Sequence, residues 1–154
     1  MSAFRKSSLL GIAFILQIAI YAQPKNWVAL QSSEINIKQT DSHFILKFRI
    51  DEGIHIQSHK MINQNFIPTT LHLQASAGME CGDIIFPATH AFRLLGSDES
   101  VEVFSNEMIV KVRLKSVGTE KNYRIRGSLY YQACTEMKCF FPRTLDFDLP
   151  VSIN

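Results

Sequence analysis

Net charge, cysteine and helical periodicity are all scarce in this chain. Its 154 residues hold 16 lysines and arginines against 14 aspartates and glutamates. Arg5 and Lys6 lie in the first 22 residues, which contain no acidic residue, so the remaining 132 carry no formal net charge. A neutral domain offers no electrostatic footprint for nucleic acid or for an anionic membrane surface. Past residue 22 no apolar run is long enough to cross a membrane, and no segment sustains an apolar stripe with a 3.6-residue period. There is no internal repeat and no low-complexity tract. No Ser/His/Asp arrangement, phosphate loop or basic-aromatic patch stands out. His43, His55, His59, His72 and His90 are scattered without ligand spacing and read as surface or strand-face histidines; only His90 lies near a loop of interest.

What is present begins with an export segment. Residues 9–22, "LLGIAFILQIAIYA", are apolar apart from Gln17 and follow the basic pair Arg5-Lys6. The run is shorter than the roughly 20 apolar residues of a membrane-spanning helix. Residues 1–22 therefore read as a cleavable signal peptide rather than an uncleaved anchor, and no cysteine follows to take a lipid. Residues 23–154 are then a single soluble extracytoplasmic domain, periplasmic or equivalent, where disulfides are permitted.

Alternation of period two dominates that domain. Phe44, Leu46, Phe48 and Ile50 share one face of "HFILKFRI", with Lys47 and Arg49 opposite. The same pattern runs through Met108, Val110, Val112 and Leu114, through Tyr123, Ile125, Leu129 and Tyr131, and through Leu145, Phe147, Leu149 and Val151. Asp146 and Asp148 fall on the solvated side of the last of these. Half-buried antiparallel strands produce such alternation. Shorter strands are expected at residues 27–37, 54–57, 70–74, 83–86 and 101–104, separated by turn signals such as Asp51-Glu52-Gly53 and Gly96-Ser97-Asp98. Seven to nine short strands predict an all-β, immunoglobulin-like antiparallel sandwich. Residues 59–68 and 87–100 lack clean alternation and read as loops. The second holds Phe92, Leu94 and Leu95, large apolar side chains suited to covering something.

The three cysteines leave at least one unpaired. Cys134 and Cys139 flank "TEMK", which reads as the loop of a β-hairpin, and its ends come close enough for a disulfide. Cys81 reads as a small buried hydrophobe. The spacing is a poor match to a zinc knuckle, no histidine lies within reach in sequence, and a second ligand pair is missing, so a metal site is disfavoured. A static staple and a redox dithiol remain level. The closed loop is short, so the bridge adds only on the order of 2 kcal/mol of stability. Tyr130, Tyr131, Phe140 and Phe141 are placed to wall it off, and Lys138 to favour a thiolate against the opposing Glu136.

"GSLYYQACTEMKCFFP", residues 127–142, resembles the Leu-x-Tyr-Gln-x-Cys signature, with its partner cysteine and following prolines, of the N-terminal periplasmic domain of the thiol:disulfide interchange protein DsbD. Residues 52–73 and 94–112 resemble flanking parts of that family, so that the likeness spans about residues 27–151. It implies an immunoglobulin-like fold with a redox-active disulfide. The domain would take electrons from a thioredoxin-like domain and pass them, through transient mixed disulfides and without a cofactor, to thioredoxin-fold acceptors, cytochrome c maturation factors among them. It also implies that Cys139 bonds partners, that Cys134 resolves them, and that Phe92 or Leu94 caps the pair, with Leu95, Tyr131 and Phe140 adding to the shield. Two departures stand out. A single proline, Pro142, follows the second cysteine after Phe140-Phe141, and the chain stops at Asn154, so a separate membrane reductase would have to supply electrons. The competing expectation is a non-catalytic immunoglobulin-like binding module with a structural Cys134–Cys139 bond.

Overall fold

The computed structural model describes residues 26–60, 66–96 and 98–154; the signal peptide expected at residues 1–22 lies outside them. Twelve strands run in chain order through the described residues. They are β1 (Val28–Leu30), β2 (Ile35–Ile37), β3 (His43–Ile50), β4 (His55–Gln57), β5 (Thr70–Ala75) and β6 (Met79–Ile85). Then follow β7 (His90–Arg93), β8 (Ser100–Ser105), β9 (Glu107–Val117), β10 (Asn122–Tyr131), β11 (Ala133–Cys134) and β12 (Arg143–Ile153).

Two four-stranded sheets, β1-β3-β9-β6 and β2-β12-β10-β5, form the sandwich. Each buries the apolar side of its alternating strands against the other. Phe44, Leu46, Phe48 and Ile50 of β3 and Met108, Val110 and Val112 of β9 meet Tyr123, Ile125, Leu129 and Tyr131 of β10 and Leu149 and Val151 of β12 in one core. Burying each large apolar side chain contributes about 1.5–3 kcal/mol. Gly127 occupies a core-facing position of β10 because Phe147, its cross-strand partner, lies over it. A Cβ there would stand 2.2 Å from the Phe147 ring. The same ring meets Phe48 of the other sheet edge-on at 6.0 Å, so the missing side chain sets how the sheets interlock.

The structure departs from the sequence expectation in three places. Residues 27–37 make two strands in different sheets, β1 beside β3 and β2 beside β12, because the polar step Gln31–Glu34 carries the chain across the sandwich. The β2–β12 pairing is parallel in an otherwise antiparallel fold. Residues 90–93, read as loop, form edge strand β7 on β8. Neither face of β7 is deeply buried, so its sequence carries no alternation.

β7 and β8 belong to a third sheet, ordered β11-β4-β8-β7, set against one end of the sandwich. Its inner face, with Ile56, Phe104 and Ala133, joins the core. On its outer face, register aligns Cys134 with His55 and His55 with Ser105. Val101, Val103 and Cys134 are buried yet stand apart from the core of the two large sheets.

Candidate functional site

Cys134 and Cys139 are joined by a disulfide whose Cα atoms lie 3.9 Å apart. The hairpin explains the close approach. Thr135 N donates to Lys138 O at 2.8 Å, and Phe140 N donates to Ala133 O at 2.8 Å. These bonds bracket the cysteines and leave them as a non-hydrogen-bonded antiparallel pair, the position at which opposing residues come closest. The Thr135 hydroxyl tightens the turn by accepting from Lys138 N at 3.3 Å.

The two sulfurs have different surroundings. Cys134 is 0% exposed, whereas Cys139 is half-buried. The buried Gln57 donates its amide to Cys134 Sγ at 3.4 Å, and Gln57 O is in turn held by the Thr69 hydroxyl. Gln132, the glutamine of the Tyr-Gln-x-Cys motif, acts as a clamp. Its Nε2 donates to Phe140 O at 3.1 Å, and its Oε1 accepts from Ile67 N at 3.3 Å. One side chain thus fixes the strand leaving Cys139 to the segment entering β5.

A shallow cleft opens beside Cys139, lined by Trp27, Gln132, Lys138, Phe140, Phe141 and Arg143. Phe140 stacks on Trp27 with ring centroids 4.3 Å apart. Lys138 Nζ stands 5.3 Å from the Phe140 ring centre, and the Arg143 guanidinium 5.7 Å from that of Trp27. Cation–π contacts at both ends hold this stack as one wall of the cleft.

The expected shielding residues separate. The β7–β8 hairpin does fold toward the disulfide: Leu95 N donates to Glu136 O of the active hairpin at 2.7 Å, next to Gly96 at φ 79°. Phe92 is half-buried and lies against the His55 ring at 4.0 Å, and Leu94 is half-buried as well. Leu95 contributes its backbone, since its side chain is 69% exposed. Tyr131 lies in the sandwich core and not over the sulfurs. Strand parity is the reason: Tyr131 and Ala133 point inward, Gln132 and Cys134 outward. Phe140 flanks Cys139 from the Trp27 side. Phe141, expected in the apolar wall, is 85% exposed.

Sequence reasoning missed His55 and Gln57, on β4, and Ser105, on β8. His55 Nδ1 and the Ser105 hydroxyl are 2.5 Å apart, and that hydroxyl is 3.2 Å from His90 Nε2. Burial, together with His90, lowers the His55 pKa below its ordinary value, and Glu136 acts in the opposite direction. Histidines 35 positions apart in sequence carry no spacing signal; only the pairing of β4, β8 and β7 unites them. Cys81 lies on β6 in a different sheet from the pair, and burial pushes its thiol pKa up.

Three solved structures resemble the chain, two of them with a TM-score of 0.50. The Neisseria meningitidis DsbD N-terminal domain in its reduced form is 19% identical, over 71% of this chain and 77% of that one, with a TM-score of 0.45. The N-terminal periplasmic domain of ScsB from Proteus mirabilis is 15% identical over 81% of this chain and 44% of that one, with a TM-score of 0.50. A structure of the complex between the DsbD N-terminal and PilB N-terminal domains from Neisseria meningitidis matches at 19% identity, over 79% of this chain and 80% of that one, with a TM-score of 0.50. No curated protein matches the chain. The family model for the N-terminal region of the thiol:disulfide interchange protein DsbD matches residues 25–150, and the chain belongs to that family.

Proposed function

We propose that this domain relays reducing equivalents by thiol–disulfide exchange at Cys134–Cys139, in the extracytoplasmic space after loss of residues 1–22. A membrane reductase supplies the electrons, and thioredoxin-fold proteins, including factors of cytochrome c maturation, receive them. The observation that carries this reading is the asymmetry of the pair: one sulfur opens on a cleft and the other is fully buried. An incoming thiolate reaches Cys139 Sγ, the bond to Cys134 breaks, and Cys134 leaves with the electron pair. The Gln57 amide already directed at Cys134 Sγ receives that charge. Cys139 forms the mixed disulfide, and Cys134 resolves it.

The surroundings suit a protein partner. Leu95, Met137 and Phe141 are 69%, 79% and 85% exposed, around the cap tip, the active hairpin and the cleft. Large apolar side chains grouped this way on a surface mark contact sites. A structurally similar complex of DsbD and PilB N-terminal domains supports a partner that is itself a protein. Phe92, Leu94 and Phe140 are the proposed shield, which the partner displaces.

Trp27 is the only tryptophan in the sequence and stacks against Phe140, next to Cys139. Its fluorescence is expected to follow the redox state of the pair in a glutathione titration. A midpoint above about −300 mV is expected for an exchanging pair. A lower one would return the bond to a static staple in a binding module. Role assignment needs a second measurement. Cys134→Ala should accumulate a mixed disulfide with a thioredoxin-fold protein activated at its nucleophilic cysteine. Cys139→Ala should form none.

A further inference from the structure

We propose that His55 is the proton acceptor for Cys134 when the reduced pair delivers its electrons, and that Ser105 and His90 pass the proton on to solvent. The inference rests on the exchange reading above and adds to it a group from outside the hairpin.

The need arises from burial. Cys134 has no solvent exposure in the disulfide-bonded structure, and in the reduced domain it becomes a thiol at that position. Burial disfavours the thiolate. Yet Cys134 must become a thiolate to attack Cys139 Sγ and release a bound partner. Cys139 opens on the cleft, where water serves as proton acceptor; Cys134 does not.

Register places His55 directly across from Cys134. Side chains opposed in this way share a sheet face, with Cβ atoms about 4.5–5.5 Å apart. Other titratable groups near the pair are worse placed. Tyr131 points into the core, Lys138 and Arg143 lie over rings on the Cys139 side, and Glu136 projects from the exposed turn. The polar groups facing His55 are Ser105 and His90, with Glu136 nearby and Phe92 covering the ring. With Nδ1–H donating to the Ser105 hydroxyl, Nε2 carries the free lone pair. Burial, with His90, lowers the ring's pKa below its ordinary value, which favours the neutral state a base requires.

The step balances within the groups named. Cys134 Sγ–H gives its proton to His55 Nε2, and the resulting thiolate attacks Cys139 Sγ. The bond between Cys139 and the partner sulfur breaks, and the partner leaves as a thiolate. The Cys134–Cys139 bond forms, so this domain gives up two electrons and the partner gains two. His55 then passes its Nδ1 proton to Ser105 Oγ while the Ser105 hydroxyl proton moves to His90 Nε2. His90 is exposed and releases it.

The test uses 5,5′-dithiobis(2-nitrobenzoic acid) with the reduced domain in a Cys81→Ala background. Cys139 releases the first nitrothiobenzoate, and ring closure by Cys134 releases the second. In the parent the second phase should hardly vary above pH 7 and should slow only as pH falls below the ordinary histidine range and His55, its pKa lowered, is protonated. His55→Gln should slow that phase about 100-fold at pH 7 and make it rise about tenfold per pH unit, as expected when hydroxide replaces the base. The first phase should be unchanged. A second phase with the parent's pH profile, at whatever rate, would overturn the proposal. If the first phase also changes in His55→Gln, the strand pairing itself has been disturbed. Ser105→Ala and His90→Gln, which leave His55 in place, then decide: slowing confined to the second phase upholds the relay, and no slowing overturns it. A parent that releases one nitrothiobenzoate and never a second fails the exchange reading itself, a result distinct from either.

Discussion

The sandwich and the third sheet are built on different terms. In the sandwich, β10 pairs with β12 across ten consecutive positions, and each strand buries one apolar face. In the third sheet β11 is two residues long and β4 three, and they join segments almost eighty positions apart in sequence. Its inner face borrows the sandwich core, while its outer face carries Cys134, His55, Gln57 and Ser105. Stability is concentrated in the first region and chemistry in the second. Short strands at the margin of a core have room for polar side chains that a doubly covered sheet would exclude.

The largest effect should come from truncation at the centre of the sandwich. Phe48 is 0% exposed and meets Phe147 edge-on, at the point where Gly127 lets the second sheet close in. Phe48→Ala is expected to cost about 3–5 kcal/mol, read as a lower urea midpoint. The surviving folded fraction should keep the reactivity of Cys139 toward thiols. A large change in that reactivity would show that the two regions are not separable.

Reduction of the disulfide should do the reverse. It changes the chemistry completely and the stability modestly, by about 2 kcal/mol, because the bridge closes only a short loop. Matched urea melts of the oxidised and reduced domain measure this. A loss as large as that of Phe48→Ala would make the hairpin a structural staple and merge the two regions into one.

The same division governs what could be read from the sequence. Alternation in residues 43–50, 107–114, 123–131 and 145–151 marked the sandwich faces, because each strand there buries one side over many residues. The hairpin at 134–139 was legible as well, since its geometry is local. Of the third sheet, strands at residues 54–57 and 101–104 were anticipated, but their pairing was not. The meeting of His55, Gln57 and Ser105 depends on long-range pairing, which carries no signal in sequence spacing. Tyr131 was misplaced among the shielding residues for the converse reason: nearness to Cys134 in sequence says nothing about which face it takes. Leu95 was anticipated for its side chain, yet it is its amide that bonds to the hairpin, which no residue-type argument distinguishes.

The smallest effect concerns acid and falls on the third sheet and its margin. Burial lowers the pKa of both His55 and His59 below the ordinary histidine value; His90 adds to the effect at His55 and Lys60 at His59. His59 stacks on Phe86 with ring centroids 4.5 Å apart, and among the described residues its buried Nδ1 has no hydrogen-bond partner. A lowered folded-state pKa means that the unfolded chain takes up the proton first as pH falls. Stability from these two groups is therefore fully present above about pH 6.5 and is lost as pH drops toward their folded-state values. The thermal midpoint should decline between pH 7 and pH 5. His59→Phe, which keeps the aromatic stack and removes the proton site, should flatten part of that decline. Hydrogen exchange at pH 5 should show faster opening of β4 and β8 than of β3 and β10. Equal opening in all four strands would mean that the acid sensitivity belongs to the whole domain, and that the third sheet rises and falls with the sandwich that supports it.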